Sequence, residues 1–595
     1  MKKTNKLLSI CLCTLMLLNS GCSFYKLPDI ENHNLDEYYK EDAAVYKTLY
    51  SSETMSLNYL STNALVDNVI CSNVIDCLID YDSYGKIVPG LAESWDSNNT
   101  MTQWTFHLRD NLKWVDHNGN YYDDVTSDDW LCAAEYADDN DLAKPIDFTV
   151  EAPDEKTIIY TLKDSCPFFL SMLSYSAFLP VSRSYLKKVG PMFAKDHKNL
   201  LYCGAFILHY FQPFEKQILV KNPSYWDKEN VYIDRVENYY DYDASDVSVE
   251  MFLEGSIDRA IIPYDQLVKS LEDPDISQHI HRSRPDSSFT YFYAFNFDPQ
   301  FDEKYDPENW KKAVVNENFR KAVMASLYRS SLLSVYEPND PDSLINNTIT
   351  PPRSLWIEGQ DYTQLPALNA ISGRDSYSIA QAKYFRKLAK AELDEEGVKY
   401  PIKILMPYDP SVEGWVKEAY KAELMIEAAL GRNFVDVVVE AGNDTGFTTS
   451  VIESGKYAFT KCRWGANFSD PLTWAEPFTD DYEYTFWNRC NDTKISFLNA
   501  RWNSMIQQAS SINYSQKRRY IAFAEAEKFL INNAIIVPIS IMNGDGYEMC
   551  NLNEFEGEFA PYGAARRRYK HMHLYNRSMN MDEYKAAYDQ WLKGF

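Results

Sequence analysis

A chain of 595 residues is longer than one ordinary core accommodates, so two or three lobes are expected. Asp plus Glu number 86 against 59 Lys plus Arg, a net charge of −27, and this acidic excess excludes nucleic acid as the natural partner. The motifs follow one another without a repeat period, which argues against a solenoid.

The N-terminus reads as an export signal. Lys2, Lys3 and Lys6 precede the apolar run Leu7 to Leu18, too short for a membrane span, and a signal peptide is expected over residues 1–21. Ser20-Gly21-Cys22 resembles the end of a lipoprotein box, in which the thiol of Cys22 receives a diacylglycerol before cleavage. Asn19 stands where such boxes usually carry Leu. A secreted protein cut nearby, with an incidental Cys22, is the alternative. Residues 22–41 are polar and acidic, and at about 3.3–3.6 Å per residue they extend to roughly 65 Å, the length of a tether. Cys71, Cys77, Cys132, Cys166, Cys203, Cys462, Cys490 and Cys550 are scattered and form no C-x-x-C pair. Small buried residues are expected for most of them, with a single disulfide left open.

The stretch from Ile87 to Trp130 opens on the turn Pro89-Gly90. It continues as a strand in which Trp104, Phe106 and Leu108 share one face and Thr105, His107 and Arg109 the other. Thr126 or Ser127 is placed to cap a following helix, with Asp128 and Asp129 in the first turn, where negative charge suits the free N–H groups and the dipole. Farther on, 158–162 and 434–439 read as strands rich in β-branched residues, and 379–396 and 415–430 as helices.

Particular residues in this order resemble the signature of the family 5 extracellular solute-binding proteins, the oligopeptide-, dipeptide- and nickel-binding components of ABC importers. They are Pro89-Gly90-Leu91-Ala92-Glu93-Ser94-Trp95, Phe106-His107-Leu108-Arg109 and Lys113-Trp114. Further blocks are Gly204-Ala205-Phe206, then Asn222-Pro223-Ser224-Tyr225-Trp226, similar to the family's N-P-x-Y-W. Glu254-Gly255-Ser256-Ile257-Asp258 carries Ser256 where an acid is usual. Asn318 to Val323, and Ala524 to Leu530 with Pro538, extend the resemblance, which spans roughly Leu57 to Tyr575.

The resemblance implies an α/β, periplasmic-binding-protein-like fold of two lobes built from three mixed α/β domains, with a ligand cleft between domains I and III. Domain I is expected to be discontinuous, at 42–69, 203–284 and 534–595. Domain II is expected at 70–202, shortened between Trp130 and Asp147, and domain III at 285–533. A few crossing segments would let the lobes hinge around a ligand.

Tyr457 to Pro471 resembles the family block that lines the cleft. In peptide-binding members the Asp three residues after the Trp pairs with the ligand's α-ammonium; here that position is Asn467. A buried ammonium without a matching carboxylate is costly. Either another acid takes the role, with Asp470 the nearest, or the ligand's end is not a free charged amine. Trp464 is expected on the cleft wall, with core packing as its alternative, and Asp470-Pro471 reads equally as a turn or helix start. Ser61 to Leu65, with Asn63 and Leu65, falls where family members offer an extended strand to the ligand's backbone. An ordinary loop is the alternative there. Asn296, closing the run Tyr291 to Asn296, is expected to reach the cleft, against an ordinary core strand.

No cofactor or metal is expected. His279 with His281 and His571 with His573 are the close His pairs, and both read as solvated or core residues. No G-x-S-x-G, H-E-x-x-H or phosphate-binding loop occurs, and Asp123-Asp124, Asp128-Asp129 and Asp480-Asp481 read as solvated surface, so no enzyme activity is expected. The expected role is a lipid-anchored monomer on the extracytoplasmic face of the cell membrane that captures peptides and delivers them to ABC permease subunits. A peptide-pheromone receptor and a binder of nickel or sugar are rival readings, because fold does not fix the ligand.

Overall fold

Alternation of apolar and polar residues builds strand Gln103–Leu108, with Trp104, Phe106 and Leu108 buried. The computed structural model describes residues 44–594 except 63, 374, 444, 481–483, 543, 545 and 561–567. Cys22, the signal peptide and the tether lie outside them. The strand sits in a four-stranded antiparallel sheet with Ala92–Ser97, Thr157–Leu162 and Phe148–Asp154. Helix Asp128–Asp139 follows, but Ser127 does not cap it with its side chain; the hydroxyl donates instead to the Asp154 carbonyl. Asp129 takes over, accepting the Thr126 N–H and the Trp114 indole N–H, each at 2.9 Å. Burial pushes its carboxyl up to about 7.

Three further sheets trace the chain's excursions. Val45–Tyr50 runs parallel to Arg235–Tyr240, which pairs with Lys216–Lys221 and through it with Phe206–Gln212. Arg259–Ile262 and His281–Arg282 flank Tyr547–Cys550. In the third sheet Asp286–Phe295 is central, between Phe459–Gly465 and Ile536–Met542. The expected return to domain I at 534 is therefore too early. Ile536–Met542 pairs with the opening strand of domain III, and the chain joins the sheet of domain I only after it.

The two segments that cross between these sheets lie side by side. Ser283 N–H donates to the Gly546 carbonyl at 2.9 Å, and Gly544 and Gly546 have φ of +47° and +92°. A Cβ on Gly544 would come within 2.6 Å of the Arg284 carbonyl, so both backbone conformation and space demand glycine there. Next to the crossing, Arg282 pairs with Glu337 at 2.8 Å, and the same carboxylate accepts the Tyr547 hydroxyl.

One hydrophobic core runs through residues 292–539, and in it Trp310, Trp474, Trp487 and Trp502 are fully buried. Helices Ile379–Glu395 and Trp415–Leu430 form as their spacing predicts, and Val435–Ala441 runs parallel to Ile402–Tyr408. All eight cysteines of the described residues are free thiols, seven of them buried, so no disulfide forms among them.

The signature blocks, distant in sequence, converge on one spot. The Arg109 guanidinium donates through Nε to the Gly90 carbonyl at 2.6 Å and lies 4.1 Å above the Trp226 ring. A Cβ on Gly90 would sit 2.7 Å from the Cys77 carbonyl, so the turn accepts only glycine. Tyr225 donates to Asp76 at 2.7 Å, and Trp226 donates to the same oxygen at 3.3 Å. Asp76 and Asp80 in turn pair with Arg568, and Lys570 bridges Asp80 and Asp227 at 3.0 and 3.1 Å. These charges are nearly all buried, so each requires its partner.

Where the turn at His117 meets Phe206–Gln212, three histidines gather. His117 and His197 meet edge to face at 5.9 Å, and His209 Nδ1 lies 2.9 Å from the His117 carbonyl. Burial lowers all three pKa values, that of His197 to about 4.

Candidate functional site

Aromatic cross-strand pairs fix strand Phe459–Gly465 against Asp286–Phe295: the Phe459 ring lies 4.9 Å from Tyr293 and 4.6 Å from Phe295. The register sets Lys461 opposite Tyr293 and Arg463 opposite Tyr291. On its other side the strand is covered only at its beginning, where Ala458 N–H donates to the Leu405 carbonyl and the Thr460 hydroxyl to the Pro407 carbonyl. From Lys461 to Gly465 this outer edge has no strand partner among the described residues. The Arg463 carbonyl accepts the Tyr484 hydroxyl at 3.4 Å.

Side chains along this edge have distinct environments. Lys461 is buried; its ammonium pairs with Glu418 and lies about 5 Å from the rings of Tyr291, Tyr336 and Trp415. Burial lowers its pKa against the pull of Glu418. Arg463 is exposed, and no carboxylate pairs with it among the described residues. Trp464 is half-buried, meets Tyr484 edge to face at 5.8 Å and donates to the Thr473 carbonyl at 2.6 Å. Asn467 is exposed, and its backbone N–H is held by the Thr473 hydroxyl at 2.8 Å.

Asp470 is not available to a ligand. Both its oxygens accept from Arg519, at 2.7 and 2.8 Å, and one also accepts the Leu472 N–H at 3.0 Å, which starts helix Leu472–Ala475. The turn-and-helix-start alternative describes it. Asn296 does not reach the cleft either. Fully buried, its amide donates to the carbonyls of Gly455 and Tyr457 and its oxygen accepts the Asp298 N–H. Asn63 lies outside the described residues; Leu65 begins helix Leu65–Val74, and its side chain lies outside them.

Residues 168–171 pack against this block. The Phe168 and Phe468 rings stack at 4.2 Å with 12° between planes, and Ser469 N–H donates to the Ser171 hydroxyl at 2.9 Å. Phe168 and Ser171 carried no sequence signal of their own, because a Phe in an apolar run looks like core. Arg463 was hidden for another reason: an exposed Arg in an acidic chain looks like surface. The His pairs go to separate partners, His281 to the Arg282 carbonyl and the Tyr584 ring, His573 to Glu556 and the Tyr232 ring. No cluster of metal-ligating residues occurs among the described residues.

The sequence profile of the bacterial extracellular solute-binding proteins, family 5, matches residues 86–486, well over half of the chain. The chain belongs to this family. Among family 5 relatives, the oligopeptide-binding protein SarA of Streptococcus gordonii is 26% identical over 92% of this chain and 91% of its own length. AliB of Streptococcus pneumoniae, also named an oligopeptide-binding protein, is 26% identical over 92% of each. The fold is that of Listeria monocytogenes OppA solved with bound peptide, at a TM-score of 0.63 and 20% identity over 90% of this chain and 99% of that one. As in other family 5 proteins, the place of the chain is extracytoplasmic, as a solute-binding component of an ABC importer.

Proposed function

We propose that this family 5 protein captures peptides in extended form, hands them to the permease of an ABC importer and catalyses nothing. It works as a monomer held at the outer face of the membrane by a lipid on Cys22. The observation that carries this reading is the outer edge of 461–465, which no strand covers among the described residues and whose backbone groups bind an extended peptide by strand addition irrespective of its side chains. Trp464 and Asn467 line the groove beside that edge. Relatives named as oligopeptide-binding proteins over nine-tenths of the chain support the same ligand class.

Calorimetric titration of the protein with short peptides tests the proposal, alongside mass spectrometry of whatever copurifies. Saturable binding of peptides of unrelated sequence is expected. Binding of nickel or a sugar, with none of peptides, would overturn it.

A further inference from the structure

Acidic residues dominate this chain, yet one helical hairpin reverses the sign. Helices Thr493–Ser510 and Gln516–Asn532 pack against each other, and along them stand Lys494, Arg501, Lys517, Arg518, Arg519 and Lys528 against Glu525 and Glu527. Arg519 and Glu527 are buried, the first paired with Asp470 and the second accepting the N–H groups of Ile349 and Thr350. Lys517 pairs with Glu358, and Glu525 lies 3.9 Å from Lys528. Asp492, just before the hairpin, caps it by accepting the N–H groups of Lys494 and Ile495. Lys494, Arg501 and Arg518 are exposed, and no carboxylate side chain pairs with any of them among the described residues.

Spacing sets these cations beside exposed apolar side chains. Lys494, Phe497 and Arg501 recur at i, i+3 and i+7 on one face of the first helix, and Arg518, Ile521, Glu525 and Lys528 follow the same rhythm on the second. The Arg501 guanidinium lies 5.3 Å from the Phe529 ring, which brings the two faces side by side, and Arg518 lies 5.9 Å from the Tyr514 ring. Phe497 is 64% exposed, Tyr514 71% and Ile521 41%. A single surface hydrophobe calls for no explanation, but three interleaved with uncompensated cations along one stripe mark a surface built to be covered.

Charge and chemistry together select what covers it. A net charge of −27 opposes approach to any polyanion, but at physiological ionic strength the Debye length is about 8 Å, so the side chains in contact decide. Each Lys or Arg close to an anionic bilayer is worth about fivefold in partition. Phe and Tyr beside them settle at the level of the headgroups. A soluble polyanion would engage the three cations and leave Phe497 and Ile521 in water, whereas a bilayer takes both.

We infer that the exposed face of this hairpin docks on the surface of an anionic phospholipid bilayer. The inference rests on the reading that the protein works at the outer face of a membrane, and it adds an orientation to that reading, with this face of the two helices against the lipid.

The test uses the chain from Ser23 onward, which lacks the lipid on Cys22 and keeps the compact unit Ala44–Phe595 whole. Cosedimentation with vesicles of phosphatidylcholine alone, or containing about a third phosphatidylglycerol, reads the partition. Wild type should prefer the anionic vesicles by roughly tenfold or more, and the preference should shrink as salt rises. Replacing Lys494, Arg501 and Arg518 together by Gln should abolish the preference, and Phe497→Ser with Ile521→Ser should weaken binding at least about threefold at unchanged charge. Lys86, Lys163 and Lys585, exposed cations elsewhere, replaced together by Gln should leave it intact. Urea midpoints equal to wild type show that each variant is folded. Equal partition of wild type to both kinds of vesicle, or equal loss in the two triple variants, overturns the inference. So does binding of inorganic polyphosphate, or of a second copy of the chain, that depends on this face while vesicles do not bind. Because the lipid is absent throughout, the fate of the anchor at Cys22 is decided separately, by fractionation of Cys22→Ser.

Discussion

Asp470 and Arg519 form a buried two-pronged pair, Nε to Oδ2 at 2.7 Å and Nη2 to Oδ1 at 2.8 Å, three residues after the exposed Asn467. Arg519 also donates to the Ser510 carbonyl at 2.7 Å and lies 5.0 Å from the Phe523 ring, so helix Gln516–Asn532 is tied to the binding loop through one guanidinium. The acid that sequence alone offers for a ligand ammonium thus serves the loop's own architecture.

Asp470→Asn should therefore act on stability. It leaves the guanidinium buried without a counter-charge, which costs about 3–5 kcal/mol. Urea unfolding reads that loss directly. A variant of unchanged stability but weakened peptide affinity would mean that Asp470 holds the ligand after all.

The contact between domains II and III gives a second expectation. Phe468→Ala removes the stacked ring at 4.2 Å and keeps the Ser469 to Ser171 hydrogen bond. The ligand-free protein should then spend more time open, with a larger radius of gyration in small-angle scattering and weaker peptide binding. Scattering curves that superimpose on wild type would show that the stack does not set the closed population.

Protonation of His197 is the third. Its folded pKa of about 4 lies below the ordinary value near 6.5, so between these values the unfolded chain binds more protons than the folded one. Its stabilising contribution is complete above about pH 6.5 and is lost as pH falls toward 4. Asp129 and Glu527, both raised to about 7 by burial, act with the opposite sign, losing stability as pH rises from about 4 to 7. Only the difference between wild type and His197→Gln isolates the histidine. That difference should shift against wild type by roughly 1–3 kcal/mol from pH 7.5 to pH 4.5, read from urea midpoints; a difference independent of pH would refute it.

At the N-terminus, Cys22→Ser should leave the precursor unlipidated and release any processed protein from the membrane. Fractionation and the mass of the N-terminal peptide report this. Unchanged retention with unchanged mass would remove the anchor from the proposal.

What the sequence revealed was whatever repeats with a short period or rests on side chains of restricted shape. Strand Gln103–Leu108 and helices Ile379–Glu395 and Trp415–Leu430 follow from local spacing alone. The blocks around Gly90, Arg109 and Trp226 were visible as motifs, but the reason for them, a shared contact, is a tertiary fact. Pairing was illegible for the same reason: nothing local in Ile536–Met542 says that its neighbour is Asp286–Phe295. Asp470 and Asn296 misled because a polar residue beside a cleft motif and one satisfied by distant carbonyls have the same letters. Arg463 went unnoticed because isolation from acids is a property of space.

The bonded crossing at Ser283 and Gly546 has a bearing on ancestry and engineering. Since the chain leaves for domain III and comes back at points joined by the Ser283 N–H and hydroxyl, which donate to the Gly546 carbonyl at 2.9 and 3.3 Å, the whole excursion is topologically a cassette whose two ends coincide. Deleting it calls for a splice of very few residues rather than a spanning linker. Exchanging it for the corresponding cassette of a relative would graft a new groove edge onto an unchanged host domain.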